Sequence, residues 1–307
     1  MACVPTLTLT RTPPPAAQAL SLLGDTLWNA PVPTLEQQHR LRALLDARRR
    51  LAAQPTDINT KLLVARRTAE MGRLREAISL YTEAIAEQPT GPRQFRRRGE
   101  LLLLTREVDQ AIRDLRRAEG TLAGDSGAKE FTELPSGEMM QSSLLHATRW
   151  LLGVAYYVRG DHAAARKAFT RSLEVAGDAD EVAAGALWLF FTLRREKRMS
   201  EAVLILRAVP GSLPVLKRSA ELNLLRLFKG EITVDTLRTH SITDGPLDER
   251  EPLYFYGLGF ARLVQGRPDE AAELFHQAMS GGLWTAIPYL AAEAEVARIR
   301  YQVSGIR

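Results

Sequence analysis

The chain has 307 residues, of which 45% are hydrophobic and 25% charged, with a net charge of +5. This balance supplies ample apolar material for a continuous core. The longest apolar run, Ala186 to Phe191, is far short of the ~18 residues a membrane span needs. The single cysteine, Cys3, excludes an intrachain disulfide and an all-cysteine zinc site.

Residues 1–15 are rich in Thr and Pro and end in Pro13, Pro14 and Pro15, which predicts a disordered tether. Ala16 to Trp28 reads as a short helix broken by Pro31 and Pro33. Thr34 is placed as an N-cap, with Gln37 three residues on, and opens a helix to about Ala53. Residues 16–57 are therefore expected to be N-terminal helices.

From Ile58 onward one pattern recurs about every thirty-four residues. Its clearest copies are Lys61 to Pro89, Phe95 to Ala118, Trp150 to Val175 and Leu253 to Met279. Each has a small residue, a Gly or polar turn, an Ala, and an aromatic or Leu four residues later. The anchoring positions are Ala77, Ala111, Ala165, Ala202 and Ala271, with Asp235 at a degenerate fifth unit. A small residue there lets two helices cross closely, and Gly99, Gly153 and Gly259 serve the facing helix. Tyr81, Leu115, Phe169, Leu206 and Phe275 fill the gap to the next unit.

This is the tetratricopeptide (TPR) pattern, so the expected fold is an all-α, right-handed TPR solenoid of helix–turn–helix repeats. Repeats one and two span 58–119, and repeats three to six, the fifth degenerate, span 142–284. A helix over Ala286 to Val303, in segment 285–307, would cap the end with Glu293, Glu295, Arg298 and Arg300 facing water. The Gly-, Ser- and acid-rich stretch 120–141 interrupts the spacing and is expected to be a flexible insertion. Asp178 with Glu181 forms a capping box that accounts for the acidic cluster around Asp180 without calcium.

The search for chemistry finds no catalytic constellation. No two of the five histidines sit at a metal-pairing helical spacing. Ser126 and Lys129 match S-x-x-K, but in a Gly-rich loop that holds no geometry. Gly257 and Gly259 fall inside a helix, which excludes a dinucleotide fingerprint. Neither a catalytic residue nor a metal, cofactor or small-molecule substrate is expected.

What remains is recognition. In such solenoids the first helix of each repeat lines a concave groove. Counting from the small residues places Arg66, Arg93, Arg96, Arg97, Trp150, Tyr157, Phe191, Arg194, Arg195, Tyr256 and Phe260 on that side. Arg and aromatic side chains anchor interfaces, and an Arg fork grips a carboxylate. For each aromatic, core packing is the competing reading and is weighted above exposure. Segment 36–119 carries 18 Lys and Arg against 12 Asp and Glu. That excess suits an acidic protein or peptide, although solvated Arg-rich helix faces explain it as well. A nucleic-acid module is opposed by the balanced C-terminal half.

Two resemblances refine this. Co-chaperone TPR domains grip terminal carboxylates at positions that here read Leu62, Arg66, Arg97, Ala147 and Leu151, a poor match. Pro31 to Asp57, the irregular unit with LFKGEITVDTLR, and the last repeat with its closing helix resemble the NlpI-type bacterial outer-membrane TPR lipoproteins. That resemblance implies a periplasmic adaptor for a protease and cell-wall hydrolases, with a tendency to dimerise. It also makes Cys3, next to Ala2, a lipidation candidate if a leader is encoded upstream. Without a leader the expectation becomes a cytoplasmic scaffold.

Overall fold

The computed structural model describes residues 17–29, 34–122, 124, 127–133, 139–243 and 250–304. The expected Thr/Pro tether, Cys3 and Ser126 lie outside the described residues. Two short strands, β1 (Ala19–Leu20) and β2 (Thr26–Leu27), precede α1 (Thr34–Ala53). Helix pairs then follow in chain order: α2 (Ile58–Glu70) with α3 (Leu74–Glu87), and α4 (Pro92–Leu104) with α5 (Val108–Leu122). After strands β3 (Lys129–Glu133) and β4 (Met139–Ser143) come α6 (Leu144–Arg159) with α7 (His162–Leu173), and α8 (Ala179–Arg195) with α9 (Met199–Ala208). The series ends with α10 (Ser219–Lys229) and α11 (Val234–Thr243), α12 (Arg250–Val264) and α13 (Pro268–Ser280), and the single helix α14 (Ile287–Ser304). Consecutive antiparallel pairs stacked in one direction make this an all-α TPR solenoid.

The turns inside the six pairs share one backbone device. Gly72, Arg106, Gly160, Lys197, Gly230 and Gly266 all take positive φ, between 59° and 91°. The amide after each bonds to the carbonyl five residues earlier, from Glu107 N to Leu102 O at 2.8 Å to Arg73 N to Thr68 O at 3.3 Å. This is the Schellman closure of a helix end, which normally selects glycine. Arg106 and Lys197 adopt it against the steric preference of L-residues.

The pattern-bearing residues occupy the places their sizes predict. Ala77, Ala111, Ala165, Ala202 and Ala271 are completely buried, and so are Leu115, Phe169 and Phe275. A methyl group on Gly153 would lie 2.5 Å from the Phe169 ring, and one on Gly259 would lie 2.8 Å from Phe275. The degenerate unit departs from expectation. Asp235 is exposed, and among the described residues of α11 Leu237 is buried.

Three expectations need correction. Ala16 to Trp28 is not a helix: β1 pairs antiparallel with β2, Ala19 opposite Leu27. The Ser21 hydroxyl accepts from the amides of Leu23 and Asp25, at 3.1 and 2.9 Å. Such local bonding competes with helix, and Gly24 at φ 95° completes the turn. The insertion also contains ordered pairing, with Lys129 opposite Ser143 and Glu133 opposite Met139. Ser143 then caps α6 by accepting from His146 N.

The third correction concerns α14. Its carboxylates do not face water: Glu293 is 1% exposed and Glu295 is fully buried. Arg298 points inward to the α6 carbonyls of Tyr157 and Val158, at 2.7 and 2.6 Å, while Arg300 is exposed. α14 packs on α13 and α12 of the last repeat, as a closing helix does, and its other side meets α6. The Arg106 guanidinium grips Glu293 with two bonds, 2.8 and 3.0 Å, and donates to Trp284 O at 3.0 Å. Glu293 also accepts from Leu22 N at 3.4 Å, and Trp284 Nε1 donates to Trp28 O at 2.5 Å. The N-terminal strands thus meet the C-terminal helix, and the solenoid closes on itself.

The two strained turns should respond oppositely to glycine. Lys197 is exposed, so Lys197→Gly relieves strain and should raise stability by about 0.5–1 kcal/mol. Arg106→Gly relieves the same strain but leaves Glu293 buried without its partner, for an expected loss of about 3 kcal/mol. Urea midpoints of the two variants measure this. Gly153→Ala should cost about 1–3 kcal/mol in the same assay, because the Phe169 ring must move.

Candidate binding chamber

Four of the expected groove aromatics do face the concave side, yet no groove remains there. Tyr157, Phe191, Tyr256 and Phe260 are completely buried. Helices α8 and α12, two repeats apart, meet through Phe191 and Phe260 with ring centres 4.6 Å apart. Trp188 stacks on Tyr256 at 5.7 Å. Tyr256 Oη donates to Tyr157 Oη at 2.8 Å, and Tyr157 Oη donates to Glu295 Oε1 of α14 at 3.1 Å. Burial, the largest cause, pushes both phenols well above the usual tyrosine range.

Two arginines belong to this closed half. Arg195 lies 3.6 Å from Glu295, and Arg194 sits over the Phe190 ring at 5.9 Å. Neither is among the residues that line the cavity of the N-terminal half.

The N-terminal half keeps its hollow. A cavity of about 960 Å³ lies between α2, α4 and α6 on one side and the starts of α10, α12 and α14 on the other. Arg66, Arg97 and Trp150 are among the residues that line it. Arg93 does not: it is exposed and donates to Lys129 O of the hairpin at 3.1 Å. Arg96 is 8% exposed and pairs with Glu100 at 3.4 Å, so it is a buried arginine and not a groove residue. It sits one position from Arg97, and a step of about 100° around the helix turns it into the packing.

The wall also includes residues that repeat register does not reveal. Arg40 comes from α1, Lys217 and Arg218 from the linker before α10, and Trp284 from the linker before α14. These linkers have no counterpart in the repeat, and only curling brings them opposite α2 and α4. Asp180 fixes one of them by accepting from the amides of Leu216, Lys217 and Arg218, at 2.9–3.1 Å. The acidic cluster thus has structural work, with Asp178 capping α8 at Glu181 N and Glu181 accepting from Gly177 N.

Five cations and three carboxylates face the chamber. Each carboxylate stands three or four residues from an arginine: Arg66 to Glu70 is 3.0 Å, Arg97 to Glu100 is 3.2 Å and Arg218 to Glu221 is 2.6 Å. These pairs fix the guanidinium planes. Trp150 stands edge-on to Trp188 at 6.3 Å, with Arg218 over its ring at 5.8 Å. Its Nε1 is shielded and has no hydrogen-bond acceptor. An indole N–H in that position has unused capacity for an acceptor.

No protein-family model matches the chain, and no curated relative was found. Among solved structures, a tetratricopeptide repeat protein from Parabacteroides merdae is 14% identical with a TM-score of 0.49, covering 84% of this chain and 94% of that one. BtubC from P. vanneervenii is 15% identical with a TM-score of 0.46, covering 89% and 92%. The P58(IPK) TPR domain is 13% identical with a TM-score of 0.25, covering 89% and 96%. These are distant likenesses, and the helix pairs themselves define the fold.

The closed half contains a group sensitive to acid. His162 packs on Tyr157 at 5.2 Å, with Nε2 3.5 Å from Arg195 Nε. Burial first, then Arg195 and Arg298, lower its pKa to about 4. It is therefore neutral when folded, and the unfolded chain binds its proton first. Stability from this group is complete above pH ~6.5 and is lost as the pH falls toward 4. Allowing for partial exposure, the loss between pH 7.5 and 5 should be about 1–2 kcal/mol. His162→Gln should remove that component, read as a flatter urea midpoint against pH. His146, also lowered by burial, contributes separately.

Proposed function

We propose that the protein is a non-catalytic scaffold that receives a short, extended, acidic segment of another protein in its N-terminal chamber. The observation that carries this reading is the chamber itself, with three tryptophans and an excess of arginine and lysine around about 960 Å³. That volume is at the upper end of ligand pockets, enough for a few residues and too small for a folded domain. Trp150, which is partly exposed, offers rigid apolar surface, and the arginines offer paired donors to carboxylates.

The non-catalytic part of the reading is supported by where the unusual titrations lie. His162, Tyr157 and Tyr256 are in the closed half, and none lines the chamber. The resemblance to lipoprotein adaptors supports a protein partner, with a protease or cell-wall enzyme as the envelope version and a cytoplasmic scaffold as the alternative. The chamber's three carboxylates and enclosed shape argue against nucleic acid.

The test uses a fluorescein-labelled acidic decapeptide containing one tryptophan, read by anisotropy. The double variant Arg66→Glu with Arg97→Glu should bind at least tenfold more weakly, with a melting temperature within a degree or two of the parent. Trp150→Ala should weaken binding similarly. Arg96→Glu should instead lower the melting temperature, because that side chain is buried. Unchanged peptide affinity in the folded double variant refutes the chamber as the site. Tighter binding of a single-stranded RNA oligomer than of the peptide would replace the reading with a nucleic-acid one.

A further inference from the structure

We infer that the concave face beneath α14 is a second interaction surface, built for a partner's acidic helix, and that α14 occupies it in the closed state. This goes beyond the chamber, which α14 borders only at its first turn, through Ile287 and Pro288. The concave side of the solenoid is where an incoming helix would lie, and here the chain's own last helix lies there.

The buried residues of α14 are mostly small or charged. Its most deeply buried residues include Ala291, Ala292 and Ala294, which remove little apolar area from water, together with Glu293 and Glu295. Leu290, Val296 and Ile299 supply the remaining buried apolar surface. Its apolar residues do not form one stripe, in contrast to helices such as α5.

The surface beneath it is complementary in charge. Arg106 holds Glu293 with a bidentate pair. Arg195, 3.6 Å from Glu295, and the Tyr157 hydroxyl, 3.1 Å from it, receive the second carboxylate. Thus two carboxylates two residues apart on a small-residue helix are read by groups from α6, α8 and the α4–α5 turn.

The second carboxylate is held less closely than the first: Arg195 Nη2 stands 3.6 Å from Glu295 Oε2, which accepts no hydrogen bond among the described residues, and Glu295 Oε1 pairs with Arg298 of α14 itself at 3.1 Å. A partner helix that satisfies the same receptors, and adds contacts of its own, can compete with α14. The linker to α14 starts at Gly281 and Gly282, the latter at φ 70°, where rotation costs little.

The experiment keeps the receptor intact and weakens only the internal ligand. In the full chain, Glu293→Gln with Glu295→Gln removes both carboxylates while Arg106, Arg195 and Tyr157 remain. The probe is a synthetic peptide with the sequence of residues 286–304, labelled for anisotropy. The variant should bind it at least tenfold more tightly than the parent does, and should bind a peptide with both glutamates changed to glutamine at least tenfold more weakly. Arg66→Glu with Arg97→Glu should not change this capture, which separates the result from the fate of the chamber. A folded variant that binds neither peptide, or both equally, overturns the proposal. If the variant does not fold, hydrogen exchange on the parent decides. Amides of α14 exchanging well before those of α6, α8 and α12 support a displaceable helix, and exchange of all four together overturns it.

Discussion

The paired contact between Arg106 and Glu293 ties together parts of the chain that a simple solenoid keeps apart. The two residues are 187 positions apart, and their side chains are 3% and 1% exposed. A buried pair of this kind is not strongly stabilising by itself, because both charges lose their water. Its effect is to fix geometry. It places α14 on the concave side, draws Trp284 under the arginine at 5.4 Å, and brings the N-terminal strands to Leu22 and Trp28. The chamber is a consequence: its far wall is made of segments that face α2 and α4 only because the chain has curled. The left-handed backbone at Arg106 fits this account. The strain persists where the side chain secures the closure.

How much of this the sequence disclosed follows from which contacts are local. The pairing of each helix with its neighbour depends on residues within one thirty-four-residue unit, and Ala77, Ala165 or Gly153 could be placed from spacing alone. The inward direction of Tyr157, Phe191, Tyr256 and Phe260 was equally legible. Their burial was not, because it depends on α8 meeting α12 and on α14 lying between α6 and α12, contacts that no repeat encodes. Arg96 and Arg97 show the limit within a single turn. Composition treats them alike, while the backbone buries one and presents the other. Lys217, Arg218 and Trp284 had no signal, since each sits in an irregular linker. One trace was available in α14, where two glutamates among alanines gave no clear apolar stripe.

The N-terminal strands teach a related lesson. Ala16 to Trp28 has helix-forming residues, and propensity alone favours a helix. Ser21 and Gly24 reverse the outcome through a turn only five residues wide. The hairpin then places Ala19 and Leu27 against Leu74, Ala77 and Tyr81, and sets Gln18 to accept from Arg75 N at 3.2 Å. Local hydrogen bonding and tertiary burial agree with one another here and together override the weaker preference.

Closure also changes how energy is distributed along the molecule. In an open solenoid each repeat touches only its neighbours, so stability is close to a sum of local terms and the ends fray first. Here the ends are held by contacts to distant repeats, through Trp284 to Trp28, Glu293 to Leu22 and Arg298 to the end of α6. Loss of the closing contacts would release both ends of the chain at once. The C-terminal half, with its stacked rings around Trp188, has enough apolar contact to persist as a unit. The chamber lacks that security, because its far wall is held by linkers and by the same closing bonds. Rigidity is therefore concentrated where the concave side is filled, and adaptability where it is hollow.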